Sequence, residues 1–270
     1  MSKIVNQIIL LTGASGGLGV PIARTLLQAG AIVVGVARNA SKLNQLQMGL
    51  GERFIPICFD LSKLHYLDRL IDQINDKVGT IDILINNAGL EIYRRFQDYS
   101  TEELQAILNI NLLVAMELTR RLLPTMQHQH QGHIISVASL AAKKGHPYDS
   151  VYSASKAGLL MWSDSLRQEL FQTGIQVSVI CPGYVANRGM LADTGIPSPK
   201  LSGISTPEQV AETVLRAIRY NQAESLINQD WLTAATTRML LMLWQFIPSL
   251  GDAMYRWMGV CELNQKRIRP

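Results

Sequence analysis

Cysteine is scarce in this chain. Three residues in 270, Cys58, Cys181 and Cys261, show no C-x-x-C spacing. Cys58 and Cys181 each lie in an apolar, β-like run ("FIPICFD", "VSVICPG"), which reads as a reduced, buried thiol in a reducing, cytoplasmic compartment. Long hydrophobic runs are missing as well. None approaches the ~20 residues that a membrane-spanning helix needs. The apolar part of "MSKIVNQIILLTGAS" is too short for a signal peptide and lacks a small-residue cleavage site, so a soluble protein is expected. Charge is not concentrated: 25 basic against 21 acidic residues leave a net +4, but no block of five or six basic residues exists. Nothing in the charge therefore indicates a nucleic-acid partner. Internal repeats, low-complexity tracts and Pro/Gly linkers are also absent. What is abundant is apolar residues, 47% of the chain, enough for a large core.

Those apolar residues come in short runs that alternate with helical patterns. "QIILLT" (7–12), "AIVVGVA" (31–37), "RFIPICF" (53–59), "IDILIN" (81–86), "HIISVA" (133–138) and "IQVSVIC" (175–181) are strand-length, and "ESLIN" (224–228) is a candidate seventh. Between them lie helical spacings such as Leu64, Leu67, Leu70, Ile71 and Ile74. Continuous runs of this kind suit strands buried on both faces, and the alternation implies βαβ units around a parallel sheet. The expected fold is a single α/β, doubly wound Rossmann-type sheet with a helical C-terminal extension. Residues 188–206 are the least regular and read as a loop. Thr206 then reads as an N-cap, with Pro207 at the first helical position.

"LLTGASGGLGVPIA" (10–23) follows the first strand and opens a helix, with Gly13, Gly17 and Gly19 in a G-x-x-x-G-x-G pattern. Such glycines let the backbone turn tightly and approach a pyrophosphate, which the free N–H groups of the next helix would hold. Ser15 and Leu18 belong to the same loop. An acidic residue gripping the ribose hydroxyls is expected at the end of the second strand for NAD. Here "GVARN" offers Arg38 instead, suited to a 2′-phosphate, so NADP is the expected cofactor and NAD the alternative. Asp60, in "FDLS", either accepts a hydrogen bond from an adenine amino group or caps the helix beginning near Ser62. "NNAG" places Asn87, Ala88 and Gly89 beyond the fourth strand, where ligands bind in such sheets.

In order and spacing, "TGASGGLG", "NNAG", "NINL", "SVAS", "YSASK" and "PG" resemble the classical short-chain dehydrogenase/reductase family over roughly residues 5–228. The resemblance implies that Tyr152 is the catalytic acid/base and Lys156 its partner, both also touching the cofactor. It implies that Ser139 bonds the substrate carbonyl and that Asn111 holds a water near the lysine in a proton relay. Asn109 and Ser136 are nearby residues that do not match. Pro182, Gly183 and the backbone of Val185 would flank the nicotinamide. The family often has a threonine shortly beyond the Pro-Gly, where this chain has Asn187. The resemblance further implies a homodimer or homotetramer and a small-molecule substrate.

The chemistry suits those residues. A nicotinamide supplies hydride, because no side chain can. Tyrosine, with a pKa near 10, needs help to act near neutrality, and an ammonium one helical turn away favours the phenolate. The small residues around the pair (Ser153, Ala154, Ser155, Ala157, Gly158) let its helix pack closely. No metal is expected: His128, His130 and His133 cluster without an Asp or Cys, as a polar helix end and strand start. His146 either edges the substrate pocket or sits in an exposed loop.

The domain reading is 1–228, dinucleotide-binding and catalytic, with 229–270 as its apolar extension. That extension is expected to form a helix over 230–247, with Leu232, Ala235, Met239, Met242 and Phe246 on one stripe and Leu240, Leu241, Leu243 and Trp244 widening it. After Pro248 a second stripe follows: Leu250, Ala253, Met254, Trp257 and Met258. Three uses stay open: packing on the domain or a partner subunit, a lid over a lipophilic substrate, or membrane-surface contact through 230–258. The function expected is NADP(H)-dependent interconversion of a carbonyl and an alcohol, probed against a non-catalytic nucleotide sensor or scaffold on the same fold.

Overall fold

The computed structural model describes residues 4–186, 194–199 and 202–268, so Asn187 lies outside the described residues. Seven strands occur among them: β1 (Ile8–Thr12), β2 (Ile32–Ala37), β3 (Phe54–Cys58), β4 (Ile83–Asn86), β5 (Gly132–Val137), β6 (Ile175–Pro182) and β7 (Glu224–Ile227). They form one parallel sheet in the order β3-β2-β1-β4-β5-β6-β7. Every residue of β4 and β5 is buried. This is why their sequences do not alternate apolar with exposed polar residues.

Helices cover both faces. On one lie α1 (Gly19–Gln28), α2 (Ala40–Leu50) and, late in the chain, α7 (Pro207–Tyr220), which pack Ile22, Leu26, Leu43, Val210 and Val214 against the sheet. On the other, α3 (Leu67–Val78), α5 (Val114–His128) and α6 (Ser150–Glu169) bury Leu70, Ile74, Leu118, Met126 and Leu166. Each such side chain contributes about 1.5–3 kcal/mol by leaving water. The expected cap of α7 is present as a reciprocal pair: Thr206 accepts the Gln209 N–H at 3.2 Å, and the Gln209 side chain accepts the Thr206 N–H at 2.8 Å. A short helix, α4 (Thr101–Leu108), runs through a π turn at Asn109–Leu113 into α5.

The strand order reverses between β1 and β4, opening a cleft at the carboxyl ends of the strands. Over that cleft lie the C-terminal helices α8 (Trp231–Phe246), α9 (Pro248–Trp257) and α10 (Val260–Lys266). One expectation needs correction. Cys58 is exposed, because it ends β3 at the cleft rim, where its thiol donates to the Arg38 carbonyl at 3.3 Å. In α8 the stripe Leu232, Met239, Met242 and Phe246 points outward, and it is Leu240, Leu241 and Trp244 that face the cleft. Among the described residues no helix is long and apolar enough to cross a membrane.

Candidate active site

The cleft has a volume of about 1330 Å³ and runs from the first βα turn to the C-terminal helices. At its floor Thr12 ties two strand ends together. Its hydroxyl donates to the Ile85 carbonyl and accepts the N–H groups of Asn87 (2.9 Å) and Ala88 (3.0 Å). The Asn87 amide donates back to the Thr12 carbonyl at 2.9 Å. The "NNAG" segment is thereby pinned against the glycine loop. A Cβ on Gly13, which has φ +67°, would lie 3.0 Å from the Ala88 Cα and 3.1 Å from the Asn87 amide. That position needs glycine on both counts.

Gly13, Ser15, Gly17, Leu18, Asn87, Ala88 and Gly89 all line the cleft, as does Gly16. Gly19 does not. It begins α1, and a Cβ there would stand 2.2 Å from the Gly13 carbonyl oxygen, so it serves the close turn and not the cavity wall. The α1 N-terminus has no side-chain cap and no acidic residue in its first turn. Its backbone N–H groups thus meet the cavity without a protein anion, an arrangement that fits a pyrophosphate.

Arg38 and Lys42 line the same end, and no ion-pair partner binds the Arg38 guanidinium among the described residues. Asp60 lines it too, and its Oδ1 accepts both the N–H (3.1 Å) and the hydroxyl (2.8 Å) of Ser62. Partial burial pushes its carboxyl up, but the Ser62 bonds and the nearby Arg38 and Lys63 charges outweigh that and hold it below the usual range. One Asp60 oxygen therefore caps a turn, which leaves the other open. Lys42 was missed by the sequence reading; its signal was a second basic residue close after Arg38, in the first turn of α2.

Farther along, Val137, Ser139, Tyr152 and Lys156 converge on the cleft, with Pro182, Gly183 and Val185 opposite. Ser139 follows β5; its Oγ accepts the Ala141 N–H at 3.1 Å and its hydroxyl lies against the Tyr152 phenol. Tyr152 and Lys156 are one turn apart on α6, both buried, with the ammonium 5.7 Å from the phenol ring centre. The Lys156 Nζ donates to the Val137 carbonyl at 2.8 Å. Burial lowers its pKa to about 8, with the Glu91 charge working against that fall. Burial also raises the Tyr152 phenol well above 10, reinforced by the Glu91 and Asp149 charges and opposed by the Ser139 hydroxyl.

The small neighbours on α6 are used. Ser155 donates to the Tyr152 carbonyl (2.7 Å) and accepts from Asn111 (2.9 Å), while a Cβ on Gly158 would meet Leu112 at 3.0 Å. Asn111 is buried in the π turn and does not line the cleft. Its amide accepts the Leu90 N–H at 2.7 Å and donates to the Leu90 carbonyl at 2.9 Å, so it fastens the 90–91 segment to the turn before α5. Ser136 lies inside β5, bonded to Ser163. His146 lines the cleft, stacked at 5.9 Å on Tyr184, which settles its placement at the pocket. His133 is buried on Ser178, and among the described residues no group could hold a metal.

Three residues around the pocket carried no sequence signal that was read: Glu91 on the wall, Asp149 sealed at the head of α6, and Arg267 after α10.

The model of the short chain dehydrogenase family matches residues 7–195, which contain the glycine loop, Ser139, Tyr152 and Lys156. The chain belongs to that family. It is 50% identical to a ketoacyl reductase, HetN, of Nostoc sp. strain PCC 7120, over 99% of this chain and 94% of that protein. It is 31% identical to dehydrogenase/reductase SDR family member 7B of Xenopus laevis, over 82% of this chain and 73% of that protein. It is also 32% identical to an uncharacterized oxidoreductase of Staphylococcus epidermidis, over 68% of this chain and 80% of that protein. As a short-chain dehydrogenase/reductase it is an NAD(P)-dependent carbonyl/alcohol oxidoreductase of a small molecule.

Proposed function

We propose that this short-chain dehydrogenase/reductase uses NADP(H) to interconvert a carbonyl and an alcohol on a lipophilic substrate. The observation that carries the reading is the continuity of one cleft. It joins Arg38, the glycine loop, Ser139–Tyr152–Lys156 and the apolar faces of α8 and α9. A reduced nicotinamide, when bound, supplies hydride. Gly13, Ser15, Gly17, Leu18 and the α1 N-terminus would hold its pyrophosphate, Arg38 with Lys42 a 2′-phosphate, and Asp60 the adenine. Asn87, Ala88, Gly89, Pro182, Gly183 and Val185 would flank the rest.

The Ser139 hydroxyl, already oriented by Ala141, donates to the substrate carbonyl oxygen and stabilises the charge that develops there. Tyr152 gives that oxygen its proton. Lys156, held by the Val137 carbonyl, lowers the cost of the phenolate that results. Asn111 keeps its turn and the 90–91 segment in register. General-acid transfer of this type contributes about 10²–10⁴-fold. Tyr152→Phe should therefore lower kcat by at least ~100-fold with nucleotide binding retained; equal rates would remove the mechanism.

The Nostoc relative is a ketoacyl reductase. A 3-ketoacyl thioester with a medium or long alkyl chain is accordingly the first substrate to assay, by loss of reduced-nicotinamide absorbance. For the nucleotide, Arg38→Asp should raise the KM for NADPH at least ~10-fold, since it replaces a charge-assisted phosphate contact with a repulsive one. NADH should be affected far less, and an unchanged preference would refute the assignment. We read the outward apolar stripe of α8, with Trp231 81% and Phe246 84% exposed, as contact with the lipid surface from which such a substrate is drawn. Homo-oligomerisation through other faces is expected of the family.

A further inference from the structure

We propose that Glu91 is a specificity-determining residue that accepts a hydrogen bond from a donor on the substrate and turns away substrates carrying a carboxylate. The proposal rests on the carbonyl/alcohol reading above and names a feature of its substrate. Among the described residues Glu91 is the one acidic residue on the cleft wall beyond the nucleotide end, where Asp60 lies. It shares that wall with Ser139, Tyr152, Tyr93 and His146. Its backbone position is fixed, because the preceding residue is clamped through both N–H and carbonyl by Asn111. Its Oε1 accepts the Tyr93 hydroxyl at 3.0 Å.

Behind Glu91 stands Asp149, which is fully buried. It occupies the N-cap position of α6, where an aspartate ordinarily accepts a backbone N–H, yet its carboxylate caps nothing. Among the described residues, neither of its oxygens receives an N–H or O–H from a donor group. The group in contact with it is the Glu91 carboxyl. Two carboxyls can bond only where at least one carries a proton, and the buried Arg267 charge beside them favours keeping the other ionised, so the pair carries one proton and one negative charge. Burial raises both above the usual carboxylate range, which keeps that proton in place near neutrality.

The charge that compensates this pair is sealed from the chamber. Arg267 is 2% exposed and lies 5.6 Å over the rings of both Tyr93 and Tyr184. It donates to the Pro197 carbonyl and to Asn264, and it does not line the cleft. Lys156 is turned to the Val137 carbonyl. What a substrate meets beside the reacting carbon is therefore the carboxyl face of the cluster. With one Glu91 oxygen bonded by Tyr93 and the shared proton directed at Asp149, the remaining lone pairs accept. A hydroxyl or amide N–H satisfies them, a methyl leaves them unpaired, and a carboxylate meets like charge in a poorly solvated wall.

The test uses a γ-keto fatty acid presented as its N-methyl amide, its methyl ester and its free carboxylate, with the full-length enzyme and NADPH. In the wild type the amide should exceed the ester about tenfold in kcat/KM, with the carboxylate lowest. Glu91→Leu should bring the amide-to-ester ratio to about one. Glu91→Gln should keep the amide preference, since its amide oxygen still accepts, and raise the carboxylate-to-ester ratio about tenfold. Ratios unchanged within about twofold in both variants would overturn the proposal. Thermal unfolding identifies a variant that fails to fold; if Glu91→Leu does, the Glu91→Gln ratio decides alone. A wild-type enzyme that reduces other ketones but shows no order among these three also overturns it. A wild type that reduces no carbonyl compound with either nucleotide overturns the functional reading itself.

Discussion

Single residues in this cleft are constrained by backbone contacts as much as by chemistry, and two glycines separate the cases. At Gly19 a Cβ would lie 2.2 Å from the Gly13 oxygen and 2.8 Å from both the Ala14 Cα and carbonyl carbon. All three are backbone atoms that cannot swing aside. Gly19→Ala must therefore push the glycine loop outward, and at least ~10-fold weaker NADPH binding with a lowered Tm is expected, read by fluorescence titration and calorimetry. Gly49 sits in α2 with nothing within 4 Å of its would-be Cβ. Gly49→Ala should stabilise by about 0.5–1 kcal/mol, because alanine fits the helix and restricts the unfolded chain. Binding that survives Gly19→Ala intact would show that the loop has slack that the close contacts deny. The sequence motif marks both Gly13 and Gly19, but only geometry distinguishes a glycine on the cavity wall from one that lets helix and turn approach.

At the scale of elements, legibility followed burial. The seven strands and the α7 cap were readable because two-sided burial and a Thr-Pro start leave local signatures in the sequence. Which face of α8 turns inward was not readable, since apolar residues occupy both of its faces and periodicity alone cannot choose between them. The π turn holding Asn111 was invisible for a different reason: its widened register is set by packing against α6 and by the bonds to Leu90. The Glu91–Asp149 contact likewise needs two distant loops to meet. The two faces of α8 can be tested apart. Trp244 lines the cleft and packs on Gly251, where a Cβ would stand 2.8 Å from its ring. Trp244→Ala should raise the KM for long-chain substrates by roughly tenfold, in line with the loss of a large apolar contact, while sedimentation with lipid vesicles persists. Phe246→Ser should do the reverse, weakening sedimentation and leaving turnover of a dissolved short-chain ketone in place. If both variants shift the same readout, α8 does not have two separable faces.

For the whole molecule, buried ionisable groups pull stability in opposite directions with pH. Glu91 and Asp149 have raised pKa values, so their contribution is fully present below the ordinary carboxylate pKa and is lost as pH rises through the raised values. His133 and His146 act oppositely. Burial, helped by the Arg167 charge, lowers His133 to about 3, and burial with the Arg267 charge lowers His146 to about 4. Above pH 6.5 both histidines are neutral in the folded and unfolded chain alike, and they are neutral in stability too. Below it the unfolded chain takes up protons that the folded one refuses, so stability falls progressively toward pH 3–4. Between pH 6.5 and 5 each histidine accounts for about 2 kcal/mol of that loss. His133 bonds Ser178 at 2.9 Å through Nε2, a contact that a glutamine amide can replace. His133→Gln should therefore reduce the fall in Tm from pH 7 to pH 5 by about 4 °C. Calorimetry at the two pH values reads this difference directly, whatever the absolute Tm of the variant. A fall identical to the wild type's would mean that His133 takes up its proton in the folded state, which would require water to reach the interface of β5 and β6.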